Sequence, residues 1–200
     1  MKSPSQIKNA DRRTLHPGEF AVVSSEDLVL HTLLGSCVAA CLYDPINKVI
    51  GMNHFLLSNR RYSKSLPYTE AEAGRYGVFS MELLINAMLK KGASRKNLRA
   101  KAFGGASVFN TTADNFFCVG EVNARFIREF LEMEKIPLLT ADLGGTDGRV
   151  IYFFKNDFSV YVRKVKKIYA ETIARQEKRY WKKSLVKQAE PKDSGIELWR

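Results

Sequence analysis

The chain has 200 residues, of which 45% are hydrophobic and 26% charged, a composition typical of one globular domain. No run approaches the roughly 18 consecutive apolar residues of a membrane-spanning helix, and residues 1–6 lack the apolar stretch of a signal peptide. The three cysteines cannot all pair within the chain and are too few for a disulfide-rich secreted fold. We therefore expect a cytoplasmic protein with reduced thiols and no membrane insertion.

The net charge of +11 is concentrated near the C-terminus. Between Arg163 and Lys187, ten Lys or Arg residues stand against only two Glu residues, so the rest of the chain is nearly neutral. This distribution indicates a basic extension, either a solvated tail or an amphipathic helix for an acidic partner or a lipid surface. The expected organisation is a flexible N-terminus at 1–14, a folded domain at 15–165, and a basic extension at 166–200 that is helical and then disordered.

The order of apolar runs and helical stripes predicts an α/β protein. Two helices are predicted, at 77–91 and 121–135, because apolar residues recur there at helical spacing. The polar stretch 58–74 is predicted to be a surface loop or a plain connector. The predicted strands are, in chain order, 19–23, 28–33, 38–43, 49–57, 98–103, 149–154 and 158–165.

A cysteine behind a glycine turn and a histidine in the next apolar run form the main candidate site. The turn at 44–48 predicts that the two runs are neighbouring antiparallel strands, with Cys37 roughly across from positions 55–56 and within reach of His54. A thiolate nucleophile and an imidazole base are the groups that a thiol hydrolase needs. Simple core packing is the alternative for both, because free cysteine is among the most buried residue types.

A structural zinc site and a serine nucleophile are the competing chemistries. Cys37 and Cys41 have a C-x-x-x-C spacing, but structural zinc usually takes four ligands, and no second Cys or His pair is present. Cys41 is better explained by core packing on the same strand face as Cys37. Neither Ser36 nor Ser107 lies in a G-x-S-x-G nucleophile elbow.

Glycine pairs follow two apolar runs, at Gly104 and Gly105 and at Gly144 and Gly145. Neither matches a P-loop or dinucleotide-binding pattern, so we expect no nucleotide site. Such pairs allow tight turns and can present amide N–H groups to a substrate carbonyl or an oxyanion. Ordinary turns are the alternative.

Several of these motifs together resemble the CheD family of chemoreceptor glutamine deamidases. The resemblance spans about 15–165 and rests on ordered motifs: TLLGSCVAACLYDP at 32–45, GMNHFLL at 51–57, GGAS at 104–107, Val119 and Gly120 with Asn123, and DLGG at 142–145 with Arg149. It implies an α/β fold in which β-sheet layers form a sandwich and the two main helices pack on the sheet. The basic C-terminal helical tail is expected to lie outside that fold.

The resemblance also implies a chemotaxis enzyme that converts glutamine side chains of methyl-accepting chemoreceptors to glutamate and releases ammonia, a protein-glutamine glutaminase. By position, Cys37 is the nucleophile and His54 the general base and acid. The third catalytic member is a threonine; we assign Thr32, although the family spacing falls on His31, and neighbouring strand residues point to opposite faces. The residues expected to contact the substrate or oxyanion are Gly35, Ser36, Val38, Gly104, Gly105 and Ser107.

No metal or organic cofactor is required by this chemistry. The implied partners are the cytoplasmic domains of methyl-accepting chemoreceptors and a CheC-type phosphatase. A non-catalytic adaptor that binds either partner is the alternative function. A nucleic-acid-binding or membrane-surface protein is a third class, and it rests on the basic extension alone.

Overall fold

The computed structural model describes residues 11–24, 28–57, 72–107 and 119–165, with the single positions 175 and 179. Within these ranges the chain forms nine strands, two α-helices and one 3₁₀ turn (Arg95–Asn97). The elements are β1 (Asp11–Thr14), β2 (Phe20–Val23), β3 (Leu28–Leu34), β4 (Val38–Asp44), β5 (Val49–Asn53), α1 (Glu72–Lys90), β6 (Arg99–Gly104), α2 (Val119–Met133), β7 (Leu138–Leu143), β8 (Arg149–Phe153) and β9 (Val160–Lys164).

The strands form two sheets with separate hydrophobic cores. One sheet has five strands in the order β2-β5-β4-β6-β7, and the other has four in the order β1-β3-β8-β9. Even-numbered residues of β4 pack against the helices, while odd-numbered residues pack against the four-stranded sheet. Every residue of β4 is therefore buried, which explains why this strand is a continuous apolar run rather than an alternating one. The predicted class, β-sheet layers with two helices packed on a sheet, is confirmed.

The helices cover the outer face of the five-stranded sheet through their apolar stripes. In α1, Met81, Leu84 and Met88 recur at helical spacing and are fully buried. Gly51 lies under this stripe: a Cβ atom there would come within 2.8 Å of Leu84 Cδ1, so a larger residue would displace side chains of α1. After α1, Gly92 adopts a φ of 94° and ends the helical segment.

The structure corrects the predicted boundaries at several places. Residues 11–14, expected to be part of a flexible N-terminus, form β1, which pairs in parallel with β3. β7 was not predicted, because this edge strand is half-exposed and polar in its middle. Residues 72–74 belong to α1 rather than to the preceding loop, and β5 ends at Asn53, beyond which Phe55 makes one isolated bridge.

Other predictions fall outside the described residues. These are the rest of the predicted loop (58–71), residues 1–10 and, apart from positions 175 and 179, the basic extension at 166–200. Among the helices that the structure describes, none is long and apolar enough to cross a membrane.

Candidate active site

Cys37 and His54 lie on the same side of the five-stranded sheet, in the space between the two sheets. β4 and β5 pair antiparallel, and Val38 continues their register by bridging to Phe55. Cys37 and His54 each precede one of these bridging residues, so they are diagonal neighbours on the opposite face, at a spacing that side chains can span. The predicted hairpin and its register are confirmed. Cys37 is 0% exposed and His54 is 2% exposed.

Thr32 reaches His54 from the other sheet. Its Oγ1 atom lies 2.7 Å from Nδ1 of His54 and donates a hydrogen bond of 2.7 Å to the carbonyl oxygen of Leu15. A threonine hydroxyl carries one proton, so Oγ1 accepts the hydrogen bond from Nδ1 of the histidine. The neutral ring is therefore protonated on Nδ1, which leaves the lone pair on Nε2. This Nε2 atom is buried without a hydrogen-bond partner among the described residues.

His31 lies on the opposite face of the same strand. Its ring is tilted by 38° against the ring of Tyr152, with the centroids 4.7 Å apart, and its Nδ1 atom is 3.3 Å from Oγ1 of Thr14, away from the space between the sheets. His31 and Thr32 are the two candidates for the third catalytic position, and the structure brings only Thr32 into contact with His54.

Burial controls the protonation of the groups in this interior. It lowers the pKa of His54 to about 4, although the Leu15 carbonyl opposes part of this effect. The imidazole is therefore neutral at physiological pH and able to accept a proton. Burial raises the pKa of the Cys41 thiol far above its usual range, with only a small opposing effect from Lys101. Cys41 is therefore an unreactive core thiol.

The turn that carries Cys37 is anchored by its carbonyl groups. Three successive carbonyls, of Gly35, Ser36 and Cys37, accept hydrogen bonds from one side of the turn, where the 104–107 loop and α2 lie. In a planar trans peptide the following N–H points away from the carbonyl, so the N–H groups of Ser36 and Cys37 point away from that side. The donors are Ala106 N at 2.7 Å from the Gly35 oxygen, Asn123 Nδ2 at 2.9 Å from the Ser36 oxygen, and Gly105 N at 2.7 Å from the Cys37 oxygen.

Three of the residues expected to hold an oxyanion have their amides engaged inside the protein. Val38 N donates to the Phe55 carbonyl at 3.0 Å, Gly105 N to the Cys37 carbonyl, and Ser107 N to the Gly145 carbonyl at 2.8 Å. For these three amides the expectation is corrected, because their hydrogen bonds support the turn. The amides of Ser36 and Cys37 point away from the side on which these carbonyls are held.

Gly104 supports the turn by its lack of a side chain. It adopts a φ of 112°, and a Cβ atom there would lie 2.1 Å from the carbonyl oxygen of Cys37. Any other residue would push the cysteine turn out of place.

Two buried polar residues were matched only as family motifs, with no role assigned from the residues themselves. Asn123 lies on the apolar stripe of α2, and a polar residue in such a stripe is the signal that could have identified it. Arg149 is 1% exposed and binds Asp142 through its carboxylate, at 2.8 Å, and its carbonyl. It also donates to the carbonyl of Gly144, whose amide donates to Gly104. Arg149 thus holds the 142–145 turn against the loop that supports Cys37.

The neighbouring surface contains an open cavity of about 420 Å³ between α2 and the two glycine turns. Its walls include Gly105, Ser107, Arg128 and Gly145, but neither Cys37 nor His54. In the part of the chain that the structure describes, no group of three or more His, Cys, Asp or Glu residues is placed to hold a metal ion.

The fold and site define an α/β protein of two packed sheets, whose interior holds a buried cysteine and, diagonal to it, a histidine in contact with a threonine. Residues 57–164 match the family described as CheD chemotactic sensory transduction. A Geobacter sulfurreducens protein named "Probable chemoreceptor glutamine deamidase CheD 1" is 55% identical over 185 residues, covering 92% of this chain and 91% of the relative. The chain therefore belongs to the CheD family, as its motifs predicted.

Further relatives agree with this assignment. A Shewanella oneidensis protein named "Probable chemoreceptor glutamine deamidase CheD 2" is 50% identical, covering 82% of each chain. A Dechloromonas aromatica protein of the same printed name is 39% identical over 200 residues, covering 99% of this chain and 98% of the relative. The similarity therefore extends over nearly the whole length of both chains.

Proposed function

We propose that this protein deamidates glutamine side chains of chemoreceptors, converting each carboxamide and one water molecule to a carboxylic acid and ammonia. The observation that best supports this activity is the contact between Thr32 and His54 beside Cys37, because it leaves Nε2 as the unprotonated ring nitrogen. Membership of a family whose relatives are named chemoreceptor glutamine deamidases supports the choice of substrate.

In the first half of the reaction, Nε2 of His54 takes the proton of the Cys37 thiol. The thiolate attacks the glutamine Cδ, and the carbonyl π electrons move to oxygen to give a tetrahedral oxyanion. The amides of Ser36 and Cys37 stabilise this oxyanion. Throughout this step the Nδ1 proton of His54 stays hydrogen-bonded to Thr32, which holds the ring in one orientation.

In the second half, His54 returns the proton to the departing nitrogen. The C–N bond breaks, ammonia leaves and a thioester remains on Cys37. Neutral His54 then removes a proton from a water molecule that attacks the thioester. The C–S bond breaks, the protonated His54 returns this proton to the leaving sulfur, and glutamic acid and the free thiol result. The glutamic acid side chain is ionised at neutral pH, so a neutral side chain of the receptor becomes a carboxylate.

Burial of the site adds one requirement. Cys37 and His54 are both buried in this structure, so the carboxamide reaches the thiol only after the residues covering it move. Exclusion of water around the bound amide strengthens the electrostatic interactions that stabilise the oxyanion.

The activity is tested by co-expressing the protein with a chemoreceptor cytoplasmic domain and measuring the receptor peptides by mass spectrometry. We expect particular glutamine peptides to gain the mass of an amide-to-acid conversion with the wild-type protein and not with Cys37→Ser. Unchanged conversion with Cys37→Ser would show that the assigned nucleophile is wrong.

The receptor cytoplasmic domain is the proposed protein partner, which places the reaction in the cytoplasm. The family resemblance supports a CheC-type phosphatase as a second partner. A non-catalytic adaptor is the alternative, and it predicts receptor binding without any mass change in the same experiment.

A further inference from the structure

Asn123 links the two halves of the candidate active site from α2. Its Nδ2 atom donates a hydrogen bond of 2.9 Å to the carbonyl of Ser36, next to Cys37, and its Oδ1 atom accepts one of 2.8 Å from the amide of Leu57, on the segment that carries His54. The side chain is completely buried. One carboxamide thus bridges two chain segments that each supply a catalytic residue.

The hydrogen-bonding pattern allows only one orientation of this carboxamide. A backbone carbonyl must face the NH₂ group and a backbone N–H must face the oxygen, so a flipped amide would lose both bonds. Val122 and Ile127 of α2 are buried close by in the helix core, which holds the helix in place. Asn123 is therefore a rigid donor to the Ser36 carbonyl.

The carbonyl that Asn123 binds belongs to the peptide unit between Ser36 and Cys37. The N–H of that same unit is the amide of Cys37, and it points away from Asn123 because the peptide is planar and trans. A hydrogen bond to the carbonyl also polarises the peptide and makes its N–H a better donor. Holding the Ser36 carbonyl therefore orients the Cys37 N–H and makes it a stronger hydrogen-bond donor.

We propose that Asn123 is a positioning residue that fixes the Ser36–Cys37 peptide so that the Cys37 amide faces the oxyanion of the deamidation intermediate. This inference rests on the proposed function. Without a donor at position 123 the Ser36 carbonyl loses the hydrogen bond that holds it toward α2, and rotation of the peptide would turn the carbonyl toward the place of the oxyanion. Two oxygen atoms facing each other would then oppose the reaction.

The test compares Asn123→Asp with Asn53→Asp in deamidation of a chemoreceptor cytoplasmic domain. The first substitution keeps an acceptor for the Leu57 amide but presents a second oxygen to the Ser36 carbonyl. Asn53 is the matched control, because it is also a completely buried asparagine that accepts a backbone bond, from Ala40 N at 3.0 Å. Its Nδ2 contacts Oγ of Ser80 and Sδ of Met81, each at 3.2 Å, and the Ser80 hydroxyl can turn to donate to an aspartate.

We expect Asn123→Asp to lower kcat by about 10²–10³-fold with KM nearly unchanged, the loss typical of removing one oxyanion donor. Asn53→Asp should keep kcat close to that of the wild type. Equal losses in both variants, or a loss confined to KM in Asn123→Asp, would overturn the assignment.

A second variant covers the case in which Asn123→Asp does not fold. Asn123→Ala adds no charge, and it should lower kcat while the alkylation rate of Cys37 by iodoacetamide, followed on the Cys37 peptide, stays near the wild-type rate. Alkylation forms no oxyanion, so a parallel fall in both rates would mean that Asn123 acts only on general structure.

Cys37→Ser in the same deamidation assay separates the two proposals. If this variant retains activity, the proposed function fails. If it is inactive while both Asn123 variants keep full kcat, only the inference about Asn123 fails.

Discussion

Oγ1 of Thr32 and Nδ1 of His54 lie 2.7 Å apart, although Thr32 belongs to the four-stranded sheet and His54 directly follows a strand of the five-stranded sheet. The contact crosses the interior between the sheets, and the same hydroxyl is held by the carbonyl of Leu15. The orientation of the imidazole therefore depends on how the two sheets pack. Any change that shifts one sheet against the other moves the proposed base relative to Cys37.

Thr32→Val should lower kcat while leaving the fold intact. Valine has nearly the same shape but offers no acceptor to Nδ1, so the ring loses its fixed tautomer and the rate falls by about 10²-fold or more. Thr32→Ser should retain most of the activity. His31→Ala is the control on the opposite face and should leave kcat unchanged; ammonia release from a receptor domain measures all three. If His31→Ala abolishes activity and Thr32→Val does not, the roles assigned to these neighbours are reversed.

The acid limb of the pH–rate profile should lie well below the ordinary pKa of histidine. Burial lowers the pKa of His54 to about 4, so the base stays unprotonated through the range in which an exposed histidine would titrate. We expect kcat/KM to be constant from about pH 6.5 down to about pH 5 and to fall below it. The measurement is ammonia release across this range under conditions in which the protein remains folded. An acid-limb pKa near 6.5 would contradict a buried neutral base.

The same burial couples His54 to stability. Because its pKa is lower in the folded protein, the unfolded chain takes up the proton first as the pH falls, and stability is lost between about pH 6.5 and about pH 4. The free energy of unfolding that is lost across this interval is up to about 3 kcal/mol. Denaturant unfolding of the wild type and of His54→Gln should show a steeper decrease for the wild type across this interval. Parallel curves would mean that His54 has the same pKa in both states.

Asp44 should contribute strongly to stability but not to catalysis. Its buried carboxylate accepts hydrogen bonds from Ile46 N and Asn47 N at 2.9 Å, and from Ser94 N at 2.8 Å, joining the β4–β5 turn to the segment after α1. Burial alone would raise the pKa of Asp44, but hydrogen bonds from Asn47, Ser94 and Ile46 outweigh it and lower the pKa to about 2.

Asp44→Ala should reduce the free energy of unfolding by about 1–3 kcal/mol, because it removes the charged acceptor of three backbone hydrogen bonds. The lowered pKa means that this contribution is complete above about pH 4 and disappears as the pH falls toward 2. Denaturant unfolding of both proteins at pH 7 and pH 3 measures the difference, and kcat at pH 7 should be unchanged. If the difference in free energy of unfolding between the two proteins grew toward low pH, the pKa of Asp44 would not be lowered by folding.

The elements of the fold were predictable where the hydrophobic signal is strong. β4 is buried on both faces and α1 has a regular apolar stripe, so both elements were predicted, although the prediction missed α1 from Glu72 to Tyr76. β1 is exposed at every position and β7 at three of six, so neither has the apolar pattern that marks a strand. These two edge strands are defined by hydrogen bonds to β3 and β6, which come from distant parts of the chain.

The sequence by itself determined that Cys37 and His54 lie on neighbouring chain segments and face the same side, because a short turn between adjacent strands sets their register and side-chain alternation sets their common face. It left open whether His31 or Thr32 completes the site and which group orients the cysteine turn. Tertiary structure brings Thr32 to His54 and Asn123 to the carbonyl of Ser36. Thr32 and Asn123 reach the site from another sheet and from a helix, and such contacts depend on how whole layers pack rather than on local spacing.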